Sequence, residues 1–182
     1  ERITAKATKY FLREVDSILS QINGKFLYRD FLIEGNISSL STHLLKKGAI
    51  ERPIFSKVID LTKDKALLWR SVRKSYSSLI NNGLRDLCPE IITCKEVSWS
   101  HFEKFRELHI REAGRETRSV ESWRRQFEAV QADEAFLVLG EFDGEMVTAG
   151  YFSYSETNCF YGSSASRRDL FDKPLFHAIM WT

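Results

Sequence analysis

Residues 135–166 read AFLVLGEFDGEMVTAGYFSYSETNCFYGSSAS, and this stretch decides the fold. Three runs rich in β-branched and aromatic residues are separated by Asp143-Gly144 and by the polar SETN. Such runs suit a pleated, half-buried surface, and Asp-Gly readily adopts the positive φ angles of a two-residue type I′ turn. The pattern predicts three antiparallel strands in succession. The chain continues as SRRDLFDKPLFHAIMW, where Pro174 presets φ for a first helical turn and Asp172 is placed to accept from its unpaired N–H groups. A strand is thus expected to deliver the backbone to a helix N-terminus, beside Arg167, Arg168 and Lys173. Such a terminus attracts anions through its free donors and partial positive charge. The competing interpretation is a solvated basic turn capped by its own Asp172.

Upstream, HIREAGRETRSVESW (109–123) joins two predicted helices. The first buries Phe102, Phe105 and Leu108/His109, starts with capping-box spacing at Ser100 and Glu103, and stops at Gly114. The second is capped by Ser119 and carries Trp123, Phe127 and Val130. Arg111, Arg115 and Arg118 lie on the short connection, and guanidinium forks bind carboxylates and phosphates bidentately. Glu112, Glu116 and Glu121 offer the alternative, surface salt bridges. His109 is either a core-edge residue or part of a substrate site.

Residues 4–22 place Phe11, Val15, Ile18 and Ile22 on one helical stripe. KFLYRDFLIE (25–34) predicts a strand, Ser38 or Ser39 caps a short helix through Leu44 and Leu45, and IFSKVIDL (54–61) predicts another strand. Thr62 is positioned to cap a helix through Trp69, Val72, Tyr76 and Ile80 that ends at Asn81-Asn82-Gly83. Its Arg70, Arg73 and Lys74 lie largely off the apolar face. One strand is expected around residues 91–97.

With 43% hydrophobic and 13% aromatic residues over 182 positions, the chain has the material for a buried core. A net charge of +2 from 27 basic and 25 acidic residues gives no global pull toward polyanions, so any such site must come from local clustering. Cys88, Cys94 and Cys159 form no CxxC pair, which argues against zinc or a disulfide scaffold and suits a cytoplasmic protein. No apolar run approaches the ~20 residues of a membrane helix. The chain opens at Glu1 without a methionine and stops at Thr182 about two turns into a helix, so a fragment of a longer protein is expected.

From residue 91 the predicted order is strand, helix, Arg-bearing turn, helix, three antiparallel strands, helix. This resembles the first part of the GNAT acyltransferase fold. The wording VIDL, LWRSVRKSYSSLINNG, LHIREAGRETRS and YGSSASRRDLFDKPLFHAIMW is similar to its FemAB-like branch, which includes peptidoglycan aminoacyl transferases with two GNAT-type units in tandem. The resemblance implies an α/β (α+β) fold with a largely antiparallel sheet flanked by helices. It implies residues 1–61 as the back half of one unit, and residues 62–182 as a connecting helix and the front half of a second, truncated in its last helix.

It also implies a function: an N-acyltransferase acting on a small-molecule or peptidoglycan-precursor-like amine. Arg167, Arg168 and Lys173 would receive the donor's phosphates, and His109, Arg115 and Arg118 the acceptor. Acetyl-CoA users in the fold carry a glycine-rich loop that wraps the pyrophosphate, whereas this chain has no glycine after Gly162. The donor is therefore acyl-CoA or aminoacyl-tRNA, with no metal. Gly162 permits a close approach or bulge where backbone N–H groups meet the carbonyl oxygen, and Tyr161 and Ser163 are the nearest groups for proton handling. Alternating Tyr and Ser are equally what an ordinary strand contains. The alternative function is a non-catalytic GNAT-like module that binds a cell-envelope precursor or nucleic acid, using Arg70, Arg73 and Lys74.

Overall fold

The computed structural model describes residues 4–30, 37–53 and 57–182. They form two compact units, Glu1–Ile59 and Asp60–Thr182. The first contains α1 (Ala5–Ser20) and α2 (Ser39–Lys46). Thr4 caps α1, and Ser38 caps α2 by accepting from the Ser41 amide at 3.1 Å. The two helices are tied by Asp16, whose carboxylate meets His43 Nε2 at 2.7 Å and Lys47 Nζ at 3.3 Å. The expected strands are corrected where they can be seen. Residues 25–30 and 57–60 are not in a strand, and the remainder of those two stretches lies largely outside the described residues. Clustered apolar residues make a strand only where a second strand is there to take the backbone hydrogen bonds.

The second unit runs α3 (Lys65–Ser71), α4 (Lys74–Leu87), β1 (Glu90–Ile92), α5 (Trp99–Ala113), α6 (Val120–Gln131), β2 (Ala135–Phe142), β3 (Glu145–Tyr154), β4 (Cys159–Ser166), a 3-10 turn at Arg168–Leu170, and α7 (Leu175–Trp181). The four strands make one antiparallel sheet in the order β1-β2-β3-β4. The fold is mixed α/β. Asp143 and Gly144 have φ of 53° and 77°, the two positive values a type I′ hairpin turn requires.

Helices cover both faces of the sheet. Leu137 and Leu139 pack with Phe102, Phe105, Leu108 and Trp123 of α5 and α6, while Val138 between them packs with Ile179 of α7. This is the strand's two-residue alternation with both faces buried, which is why β2 reads as a continuous apolar run. Leu87, Val147, Leu175 and Ala178 form a further cluster with α4 and α7.

Four helix boundaries differ from the sequence expectation. Asp64, not Thr62, caps α3, accepting from the Leu67 amide at 2.8 Å. The predicted single helix breaks at Val72 and Arg73, both extended, although neither Pro nor Gly marks the place. It also continues past Asn81-Asn82-Gly83 to Leu87, because Leu87 is buried and Gly83 is a contact point: an added Cβ there would lie 2.8 Å from Pro174 O and 2.9 Å from Ala178 Cβ. The cap of α5 is Ser98, whose amide donates to His101 Nδ1 at 3.1 Å, in place of the Ser100–Glu103 pair. The strand expected over 91–97 is confined to β1, since from Thr93 the chain turns under hydrogen bonds to Glu96.

Candidate functional site at the β4–α7 junction

Register fixes the first feature of the site. Tyr151 pairs with Ser163 and Phe152 with Tyr161, so Gly162 is an extra residue in β4 without a partner, a one-residue bulge. Only glycine fits: a Cβ would lie 2.9 Å from Tyr151 Cδ1. The bulge changes what the flanking side chains meet. The Tyr161 ring lies on the α7 side, 5.7 Å from Phe152 and 5.5 Å from Phe176, and its hydroxyl hydrogen-bonds Ser164 Oγ. Ser163 stands opposite Tyr151, in step with Ala165, on the side of α5 and α6. It is 7% exposed and its Oγ has no hydrogen-bond partner. Tyr161 and Ser163 are therefore close in sequence but do not face one another.

Beyond β4 the chain turns sharply. The Arg167 amide still donates to Val147 O at 2.9 Å, and the 3-10 turn follows. The Arg167 guanidinium is occupied: Nη1 meets Glu145 Oε2 at 2.9 Å, and its other nitrogens hold both oxygens of Asp169. That hydrogen bonding and charge hold the Asp169 carboxyl below its ordinary range. Arg168 is exposed and forms no side-chain ion pair among the described residues, while its amide donates to Glu112 Oε2 at 3.0 Å. The Lys173 ammonium lies 4.4 Å from the centre of the Phe142 ring. Asp172 makes no cap bond to α7, and Pro174 precedes its first residue with φ −81° and ψ 53°. The expected Asp172 cap is thus corrected: no side-chain cap bond is made, and the Leu175 N–H is already taken by Lys173 O at 2.9 Å.

Glu112 joins this junction to the second predicted region. Its side chain is 14% exposed, receives Arg111 Nε at 3.1 Å, and with its other oxygen holds the Arg168 amide. The C-terminal turn of α5 and the β4–α7 turn are therefore in contact. One turn earlier, the His109 ring packs edge-on against Trp123 at 5.4 Å, with Nδ1 3.3 Å from Thr117 Oγ1. Burial, and then the charge of Arg118, lowers its pKa and favours the neutral ring. The Arg118 guanidinium lies 5.1 Å from the centre of Trp123's ring.

Of the three glutamates that might have neutralised this loop, Glu112 pairs with the loop's own Arg111, as the salt-bridge alternative has it, and the other two pair with arginines outside it. Glu116 pairs with Arg106 at 2.7 Å, Glu121 with Arg125 at 3.5 Å, and Glu112 as described. Arg115 and Arg118 form no carboxylate ion pair among the described residues. Arg70, Arg73 and Lys74 are likewise exposed without ion pairs there, gathered at the α3–α4 break. Glu112 was the residue that sequence reasoning undervalued. Its signal was its spacing: three residues after His109, it lies near the same helical face.

Among the described residues no group of three or more His, Cys, Asp or Glu is arranged to hold a metal, and no helix is long and apolar enough to cross a membrane. No protein-family model and no curated protein matches the chain.

Proposed function

We propose that this protein is an N-acyltransferase of the GNAT type, FemAB-like, that moves an acyl or aminoacyl group from an activated donor directly to an amine. One observation carries the reading. A strand, two helices, three antiparallel strands and a helix follow in order, with a one-residue bulge at Gly162 in the last strand. A bulge takes backbone N–H groups out of the ladder, which frees a donor for the oxygen of a reacting carbonyl. Arg168 and Lys173 receive the donor's phosphates. Arg167, bound to Glu145 and Asp169, shapes the turn that presents them. Because that turn relies on side-chain charge without a glycine cradle, aminoacyl-tRNA fits it better than acyl-CoA.

The acceptor's anionic group is held by Arg115 and Arg118 beside His109. An ammonium of pKa ~10.4 costs about 4.6 kcal/mol to deprotonate at pH 7. The Tyr161–Ser164 hydroxyl pair offers that proton a route away from the amine. Ser163, with its unpartnered hydroxyl, is a second donor next to the bulge. The test is mass spectrometry of candidate amines incubated with the protein and either acyl-CoA or charged tRNA. An acylated amine is the expected product, and its dependence on one donor names the donor class.

A second reading rests on a different observation. Arg167 is already saturated by two carboxylates, while Arg70, Arg73 and Lys74 stand exposed at one corner. A non-catalytic module that binds a polyanion through that corner would give steeply salt-dependent binding and no acylated product.

A further inference from the structure

The β4–α7 turn is weakly held from within. The two hydrogen bonds that close its 3-10 segment, Leu170 N to Arg167 O at 3.4 Å and Phe171 N to Arg168 O at 3.3 Å, are longer than an ordinary amide–carbonyl bond. Its entry is fixed by two shorter ties to other elements. The Arg167 amide donates to Val147 O of β3 at 2.9 Å, and the Arg168 amide donates to Glu112 Oε2 of α5 at 3.0 Å. The first tie continues the sheet's ladder. The second is a side chain from 56 residues earlier, and an ionised acceptor makes a stronger hydrogen bond than a neutral carbonyl.

The charge on Glu112 is met by its own neighbour. Oε1 accepts from Arg111 Nε at 3.1 Å, so the carboxylate, on a side chain only 14% exposed, is divided between one guanidinium and one backbone N–H. The Arg168 backbone is thereby tethered while its guanidinium stays exposed, without an ion pair among the described residues. A carboxylate bound to the guanidinium itself would occupy that charge, as Glu145 and Asp169 occupy Arg167.

We propose that Glu112 is a positioning residue: by holding the Arg168 amide it sets the direction from which the Arg168 side chain meets an anionic ligand. The role rests on the turn's being the donor's phosphate site, and it adds the group that aligns that site. A backbone fixed before the ligand arrives removes part of the ordering cost from binding. A carboxylate that merely occluded the turn would act in the opposite sense.

The experiment uses the full chain as wild type, Glu112→Gln and Glu112→Ala, with inorganic pyrophosphate as the probe. Glutamine keeps an oxygen for the Arg168 N–H and drops the charge, whereas alanine removes the acceptor. Hydrogen exchange at the Arg168 amide is followed by NMR without ligand, and pyrophosphate affinity by calorimetric titration. That amide should exchange about tenfold faster in Glu112→Ala and within about threefold of wild type in Glu112→Gln. Pyrophosphate should bind about five- to tenfold more weakly to Glu112→Ala, with the affinity restored in Glu112→Gln. Amides of β2 and β3 should keep wild-type exchange in both variants; if they speed up too, Glu112 holds the fold and not the turn, and the assignment fails. Tighter pyrophosphate binding in Glu112→Ala, or unchanged exchange at Arg168, would also overturn it. Wild-type protein that binds no pyrophosphate, while the exchange effect persists, would sink the phosphate-site reading and leave Glu112 a structural tether only.

Discussion

His109 is held toward its neutral form by burial and by Arg118, and that sets a sign for pH dependence. The unfolded chain takes up a proton on this imidazole near the ordinary 6.5, before the folded one does. Stability contributed by the neutral ring is thus intact above that value and falls as pH drops through it toward the lower folded pKa. NMR titration should find the His109 midpoint below 6.5, and Arg118→Ala should raise it. The acid-side loss of stability should shrink in His109→Gln. Ser163 gives a second test at this scale. Its buried hydroxyl has no partner, so Ser163→Ala should leave stability unchanged or raise it by up to about 1 kcal/mol in denaturant unfolding. If the serine donates to the reacting carbonyl, acyl transfer should fall in that same variant. The sequence showed these residues but not their partners. Nothing local says that Tyr161 and Ser163 diverge, because that follows from the bulge register, or that Glu112 reaches across to the Arg168 amide.

At the scale of elements, local chemistry was legible where it is self-sufficient. The Asp143-Gly144 turn, the Ser38 and Ser119 caps and the succession of β2, β3 and β4 all depend on neighbouring residues only. Boundaries set by tertiary packing were not. Gly83 looks like a helix stop, yet it lies within α4 because α7 approaches there with no room for a Cβ. Gly83→Ala should therefore cost about 1–3 kcal/mol, measured by urea unfolding, despite alanine's better helix propensity. A stabilised variant would mean that α4 and α7 are not in this contact. The α3–α4 break has no sequence mark at all, since Val72 and Arg73 are neither helix stops nor turn residues.

At the scale of the whole molecule, the two units differ in how much they bury. In Glu1–Ile59 the only hydrophobic residue buried among those described is Leu44, and the apolar stripe of α1 leaves Phe11 and Ile18 at 52% and 59% exposure. Asp60–Thr182 holds all three core clusters. Limited proteolysis should accordingly cut first within residues 1–59 and leave a resistant product covering α3 to α7. Cleavage of both units at equal rates would contradict that difference. Composition foretold a core but not its unequal division, which depends on which stripes find partners. The central claim is acyl transfer through the β4–α7 turn, and one comparison tests it most directly. The rate of amine acylation is measured by mass spectrometry for the wild-type chain and for Arg168→Ala/Lys173→Ala. Loss of two charged phosphate contacts predicts a fall of about tenfold or more, with the fold retained because neither side chain has an ion pair to lose among the described residues. Wild-type protein that acylates no amine from either donor class, or a variant as fast as wild type, would contradict it.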